Sequence, residues 1–188
     1  ALANGQLVAT LNQTKVSLLT RLRGDRGQRG TRRTLQYYFV AQDIHERASS
    51  SHIQYQTLRD QFRYSDVMFR FQRMLSMQAQ ACQKLSRAIL LREPYQHDAH
   101  FERAFMHLDA ALERVRAGGA SDEQLNALGY LLNNLRAIDA QLATIESVQT
   151  TAPAGSNTET LLADDRLGGL SDIWLRLQRN MSPESALF

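Results

Sequence analysis

The sequence has little of what punctuates or staples a fold: one cysteine, one tryptophan, three prolines and ten glycines among 188 residues. A lone cysteine makes no internal disulfide, which excludes a disulfide-stapled secreted scaffold. Apolar runs are short, Ala88-Ile89-Leu90-Leu91 being typical. None approaches the roughly 18–20 apolar residues of a membrane span, and nothing at Ala1 reads as a signal peptide, so a soluble piece is expected. Glycine and proline are both absent from residues 31–93. Hairpins need turn residues, so strands have little place in that stretch.

Helical periodicity fills the gap. Tyr64, Met68, Phe71, Leu75, Ala79, Cys82, Leu85 and Ile89 recur at steps of three or four, the signature of one helix face. Phe101, Phe105, Leu108, Leu112 and Val115 repeat it, as do Leu125, Leu128, Leu132, Leu135, Ile138, Leu142 and Ile145. Leu7, Leu11, Leu18 and Leu22 do so more weakly. The expectation is a single all-α domain over 1–188, an elongated antiparallel bundle of five to six helices. The first helix spans about Ala3–Arg23. The second starts near Thr31 and weakens at Ala48-Ser49-Ser50-Ser51, whose hydroxyls compete for backbone bonds. One very long helix follows over about Ile53–Arg92, ~60 Å at 1.5 Å per residue, stopping before Pro94. Later helices run from about Asp98 to Arg116 and from a Ser121 cap to about Val148. Residues 150–168 read as a flexible linker, and Ser171 as the cap of a short last helix carrying Ile173, Trp174 and Leu177.

Lysine is scarce where arginine is not: 2 against 20. The charge is also lopsided. Residues 1–92 carry a net +10 and residues 93–188 a net −7. Either the halves lie against each other, or the basic half faces an anionic partner. Six arginines, Arg21, Arg23, Arg26, Arg29, Arg32 and Arg33, fall within 13 residues among three glycines. Guanidinium groups beside a pliable backbone and a helix start suit phosphate or carboxylate, so an anion or a lipid headgroup is a sensible ligand. The alternative is a solvated turn paired with the acidic half. No Walker lysine is present, which leaves a nucleotide-binding P-loop unsupported.

The densest polar patch is Gln42–His52. On a continuous helix His45, Ser49 and His52 share a face, as do Asp43, Glu46 and Arg47. A serine hydrolase lacks its nucleophile elbow here, and a metal site lacks a third ligand; helix–helix hydrogen bonds and ion pairs are the competing role. Glu93, His97, His100 and His107 have near-helical spacing interrupted by Pro94. Cys82 falls on an apolar seam, more packing than nucleophile. Tyr37, Tyr38, Phe39, Phe62, Phe69 and Phe71 interleave with arginines, which would suit nucleic acid but at this spacing suits a core. No catalytic constellation, metal site or cofactor motif emerges, so an enzyme is not expected.

Three stretches carry a resemblance. The run from Thr31-Arg32-Arg33-Thr34-Leu35-Gln36-Tyr37-Tyr38 through Gln42-Asp43-Ile44-His45-Glu46-Arg47 to Tyr55 resembles the YccS/YhfK family of bacterial inner-membrane proteins. So do Leu131-Leu132-Asn133-Asn134-Leu135-Arg136-Ala137-Ile138-Asp139 and the tail Ser182-Pro183-Glu184-Ser185-Ala186-Leu187-Phe188. The resemblance implies a cytoplasmic domain between two blocks of transmembrane helices, in a family placed with fusaric-acid-resistance and aromatic-acid exporters. It implies organic anions, aromatic ones among them, as cargo, a pore in helices outside this stretch, and no established functional residue to carry over. A homodimer through the long helices, contact with flanking spans and with anionic headgroups, and Trp174 with Phe188 at a membrane interface are the corresponding expectations. A soluble adaptor binding nucleic acid through the basic half is the alternative from another class, with nucleic acid the less favoured partner.

Overall fold

A computed structural model describes residues 2–24, 29–63, 65–150 and 164–181. The described residues form six helices and no strand: α1 (Leu2–Gly24), α2 (Arg29–Gln61), α3 (Asp66–Leu91), α4 (His100–Ala117), α5 (Asp122–Thr150) and α6 (Asp164–Met181). The fold is all-α, as the periodicity requires.

The long helix is not where it was expected. The serine run does not weaken α2, because its hydroxyls find partners that leave the helix intact. The Ser51 hydroxyl donates to the Arg47 carbonyl one turn back, at 2.7 Å. That of Ser50 meets the Tyr130 hydroxyl on α5, at 2.9 Å. α2 therefore runs on for 33 residues, ~50 Å of helix. The predicted 53–92 helix is instead cut at residues 62–65. Ser65 takes an extended backbone, φ −91° and ψ 147°, and its hydroxyl donates to the Phe62 carbonyl at 2.9 Å. Asp66 then opens α3, where the positive end of the helix dipole favours an acid. Neither glycine nor proline marks this break; a serine–aspartate pair makes it.

Other ends follow local chemistry. α3 stops with Arg92 in the left-handed region, φ 56°, two residues before Pro94. α4 closes at Gly118 and Gly119, the latter at φ 86°, where a side chain would be strained. α5 opens on a reciprocal pair: Ser121 N–H donates to Gln124 Oε1 at 3.1 Å, and Gln124 N–H donates to Ser121 Oγ at 3.2 Å. This is a capping box satisfying two otherwise orphaned donors. Of the 150–168 stretch expected as a linker, Thr150 ends α5, 164–168 are helical, and 151–163 lie outside the described residues.

The core runs the length of the bundle. Met68, Phe71, Leu75, Ala79, Cys82, Leu85 and Ile89 are buried along α3, as are Phe101, Phe105 and Leu108 on α4 and Leu128, Leu132, Leu135, Ile138, Leu142 and Ile145 on α5; Leu112, Val115 and Leu125 of the same stripes are partly buried, and Tyr64 lies outside the described residues. α6 packs most extensively on α3 and also touches α1 and α2. Ser171 is no helix cap. It sits inside α6, buried, and its hydroxyl donates to the Ser86 carbonyl at 2.9 Å while the Ser86 hydroxyl donates to the Ser171 carbonyl at 2.7 Å. Trp174 is likewise not at an interface: it is fully buried. α3 and α6 are antiparallel, as the Ser86–Ser171 and Cys82–Met181 contacts require. α2 and α5 are antiparallel too, with Ser50 beside Tyr130 and Leu35–Asp43 beside Gln141 and Thr144. The basic half (α1–α3) thus lies against the acidic half (α4–α6). The Arg114–Asp66 ion pair between them runs against the bulk asymmetry, with the arginine from the acidic half.

Candidate functional site

The polar patch predicted on α2 forms on one continuous helix, and its charges pair along that helix. Arg47 Nε donates to Asp43 Oδ2 at 3.0 Å, both side chains about one-third exposed. Glu46 is exposed. His45 and His52 are partly buried, and desolvation lowers the basicity of both, with Glu46 opposing it at His45. Burial also raises the Tyr38 hydroxyl and the Tyr55 hydroxyl, since an apolar surrounding disfavours phenolate. The five patch residues Asp43, His45, Glu46, Arg47 and His52 therefore share a helix without converging on one reacting point. Between α2 and α5 an open groove of about 550 Å³ is lined by Leu35, Phe39, Val40, Asp43, Gln141 and Thr144. Phe39 is 52% exposed there.

Of the six arginines, Arg21 and Arg23 fall in the last turn of α1, and Arg29, Arg32 and Arg33 in the first turns of α2. Arg26 and the rest of the 25–28 connection lie outside the described residues. Gln6 of α1 meets Arg176 of α6 at 3.4 Å. From Gln6 to Arg21 the helix climbs roughly 20 Å, so Arg21 and Arg23 lie well away from that meeting point.

A cluster that spacing did not reveal lies elsewhere. The connector between α3 and α4 buries Tyr95 and presents His97 to α5. His97 Nε2 lies 2.6 Å from Asp139 Oδ1, and His97 Nδ1 lies 2.9 Å from the Tyr95 hydroxyl. A carboxylate only accepts, so Nε2–H donates to Asp139. Phe101 lies parallel to the imidazole, centroids 4.6 Å apart and planes 2° from each other. One residue on, Asp98 accepts from the His100 backbone N–H at 2.9 Å and from its Nδ1 at 2.7 Å. These bonds hold the Asp98 carboxyl below its usual range.

The remaining candidates resolve as packing. Cys82 is fully buried, and desolvation pushes its thiol up to about 12, which removes the thiolate needed for nucleophilic chemistry. Its S–H points to Met181 Sδ at 3.7 Å. Tyr37, Tyr38 and Phe71 are core residues, while Phe39 and Phe69 are exposed, so the aromatics do not form one stacking face. No three His, Cys, Asp or Glu among the described residues are placed to hold a metal ion.

Comparison with known proteins settles the family. A family model described as "FUSC-like inner membrane protein yccS" matches residues 1–142. The chain belongs to the FUSC-like family. It is 77% identical over 188 residues to inner membrane protein YccS of Escherichia coli, covering all of this chain and 26% of that protein. It is also 32% identical over 189 residues to an uncharacterized protein of Haemophilus influenzae, again covering 26% of it. This FUSC-like chain therefore spans about a quarter of the length of the curated relatives it matches. No solved structure matches. Among the described residues no helix is long and apolar enough to cross a membrane.

Proposed function

We propose that this chain is the cytoplasmic domain of a transporter-like inner-membrane protein, where it assembles or regulates a transmembrane pore for organic, including aromatic, anions. The observation that carries this is a conjunction. The whole chain aligns at 77% identity with a stretch of an inner membrane protein, yet no described helix is able to span a bilayer. The spans of such a protein then belong to its other three-quarters, and this stretch is the part outside the bilayer. Its arginine bias fits the cytoplasmic side, where Lys and Arg accumulate near membrane ends.

In this role the domain pairs as a homodimer through its long helices, and the Arg21–Arg33 segment contacts anionic headgroups or substrate anions. Placement is tested by proteolysis of the full-length protein in membranes, detected with an antibody against this domain. Cleavage in inside-out vesicles with protection in intact spheroplasts is expected. The reverse pattern overturns the cytoplasmic assignment. The headgroup contact is tested with this chain on phosphatidylglycerol vesicles. Replacing Arg26, Arg29, Arg32 and Arg33 by Gln should weaken binding, and unchanged binding discards that contact.

A further inference from the structure

Phe39 is the exposed large apolar side chain of α2 among the described residues, and it borders the α2–α5 groove. On a helix of 3.6 residues per turn, Arg32, Leu35, Asp43, Glu46 and Ser50 fall within about 40° of it, on one stripe. The charge along this stripe changes sign at Phe39. Arg32 stands seven residues before it and Glu46 seven after. Arg29 and Arg33 reinforce the basic end, and Asp43 the acidic one. Resting on the homodimer proposed above, and naming its surface, we propose that two copies of this chain pair antiparallel along α2 with the two-fold axis at Phe39. Each Phe39 enters the other copy's groove, and Arg32 meets the partner's Glu46.

The orientation follows from the charges. A two-fold axis at Phe39 sets residues equally far before and after it opposite one another, and every such contact occurs twice. Arg32 then faces the acidic end of the other helix, and Gln36 faces Gln42. Leu35 lies beside Asp43, whose carboxylate is already held by Arg47 on its own helix. Glu46 is exposed and is left for the incoming arginine. A parallel pairing would instead set arginine against arginine and glutamate against glutamate, which like-charge repulsion disfavours, and it would align the two helix dipoles.

The groove suits a phenyl ring. Leu35, Phe39 and Val40 make its α2 wall apolar, and Gln141 and Thr144 on the α5 wall carry no charge, so an entering ring strips water from no ion on that wall. The contact is small beside the roughly 1,600 Å² of a standard protein interface. The isolated chain therefore pairs weakly, and spans flanking it in a membrane strengthen the pairing by raising the effective concentration. An exposed ion pair contributes little alone. Symmetry doubles it here, and reversing one charge turns two attractions into two repulsions.

The test is a charge swap. Sedimentation equilibrium of this chain, at high concentration and low salt, compares the parent with Arg32→Glu, Glu46→Arg and the two combined. Either single reversal should weaken dimerisation roughly tenfold or more, and the combined variant should return to within about threefold of the parent. Reversals without effect, or a combined variant no better than the worse single one, overturn the pairing. Should the chain stay monomeric throughout, oxidative cross-linking of the full-length protein in membranes decides. Arg32→Cys combined with Glu46→Cys should give a disulfide-linked band at twice the monomer mass, absent from the parent and from each single variant, because like positions lie ~21 Å apart along the pair. A new band at any other mass means a different occupant and overturns the proposal. A full-length protein that is dimeric in detergent yet gives no such band overturns this surface and leaves the homodimer standing; a monomeric one overturns both.

Discussion

Two regions of the molecule spend their polar side chains differently. On α2, between Asp43 and His52, most polar contacts run along the helix, Arg47 to Asp43 and Ser51 to the Arg47 carbonyl, with exposed Ser50 alone of these reaching α5 at Tyr130. From α3 onward ion pairs such as Arg176–Asp172 also run along a helix, but the buried polar contacts cross between elements. Gln78 donates to the Leu135 carbonyl at 2.7 Å, Ser86 and Ser171 exchange hydroxyl bonds, and His97 reaches Asp139. The first kind holds one helix in shape, a task worth a few tenths of a kcal/mol per pair. The second kind holds helices to each other, inside a region where an unmatched polar group is costly. A dense polar run is thus a poor guide to where polar chemistry has consequences for the fold.

The sharpest way to break this contrast is through packing. Trp174→Ala, at a fully buried position of α6, should cost about 3–5 kcal/mol in denaturant unfolding, against less than about 0.5 kcal/mol for Phe39→Ala on the exposed face of α2. Next come the serines. Ser86→Ala and Ser171→Ala should each cost about 1–2 kcal/mol, and a double-mutant cycle should return a coupling near 1 kcal/mol; simple additivity would mean the hydroxyls act independently.

Acid offers a smaller test of the α2 region. His45 and His52 are held below their usual basicity by burial, so below about pH 6.5 the unfolded chain binds more protons than the native one at these sites. Their contribution makes stability fall as pH falls. Circular-dichroism melts should show a flatter acid limb in a His45→Gln, His52→Gln double variant than in the parent. The smallest effect belongs to Asp43→Ala, about 0.3–0.5 kcal/mol, since its arginine partner is one turn away and partly solvated.

The helical class and most of the buried stripes were readable from spacing, because a 3.6-residue period in Phe71, Leu75, Cys82 and Ile89 reports a buried face whatever covers it. The break at 62–65 was readable in principle. Ser65-Asp66 is a helix-start pair, but a window searched for glycine and proline passes over it. The α2 serines were misjudged for the complementary reason: whether a hydroxyl competes with the helix depends on a partner, and the partner of Ser50 is 80 residues away. Sequence separation likewise hides the Tyr95–His97–Asp139 cluster. Near-helical spacing grouped His97 with His100 and His107, while its actual partner, Asp139, lies 42 residues on, in a helix whose register only the packed structure defines. The arginine segment, by contrast, was found by composition alone.

The account rests on this chain being the part outside the bilayer of an inner-membrane protein, and fractionation of the native full-length protein tests that most directly. Detected with an antibody against this domain, the protein should stay in the membrane pellet after an alkaline wash and migrate well above the 21.3 kDa of this chain. Release into the soluble fraction at about the chain's own mass would contradict it.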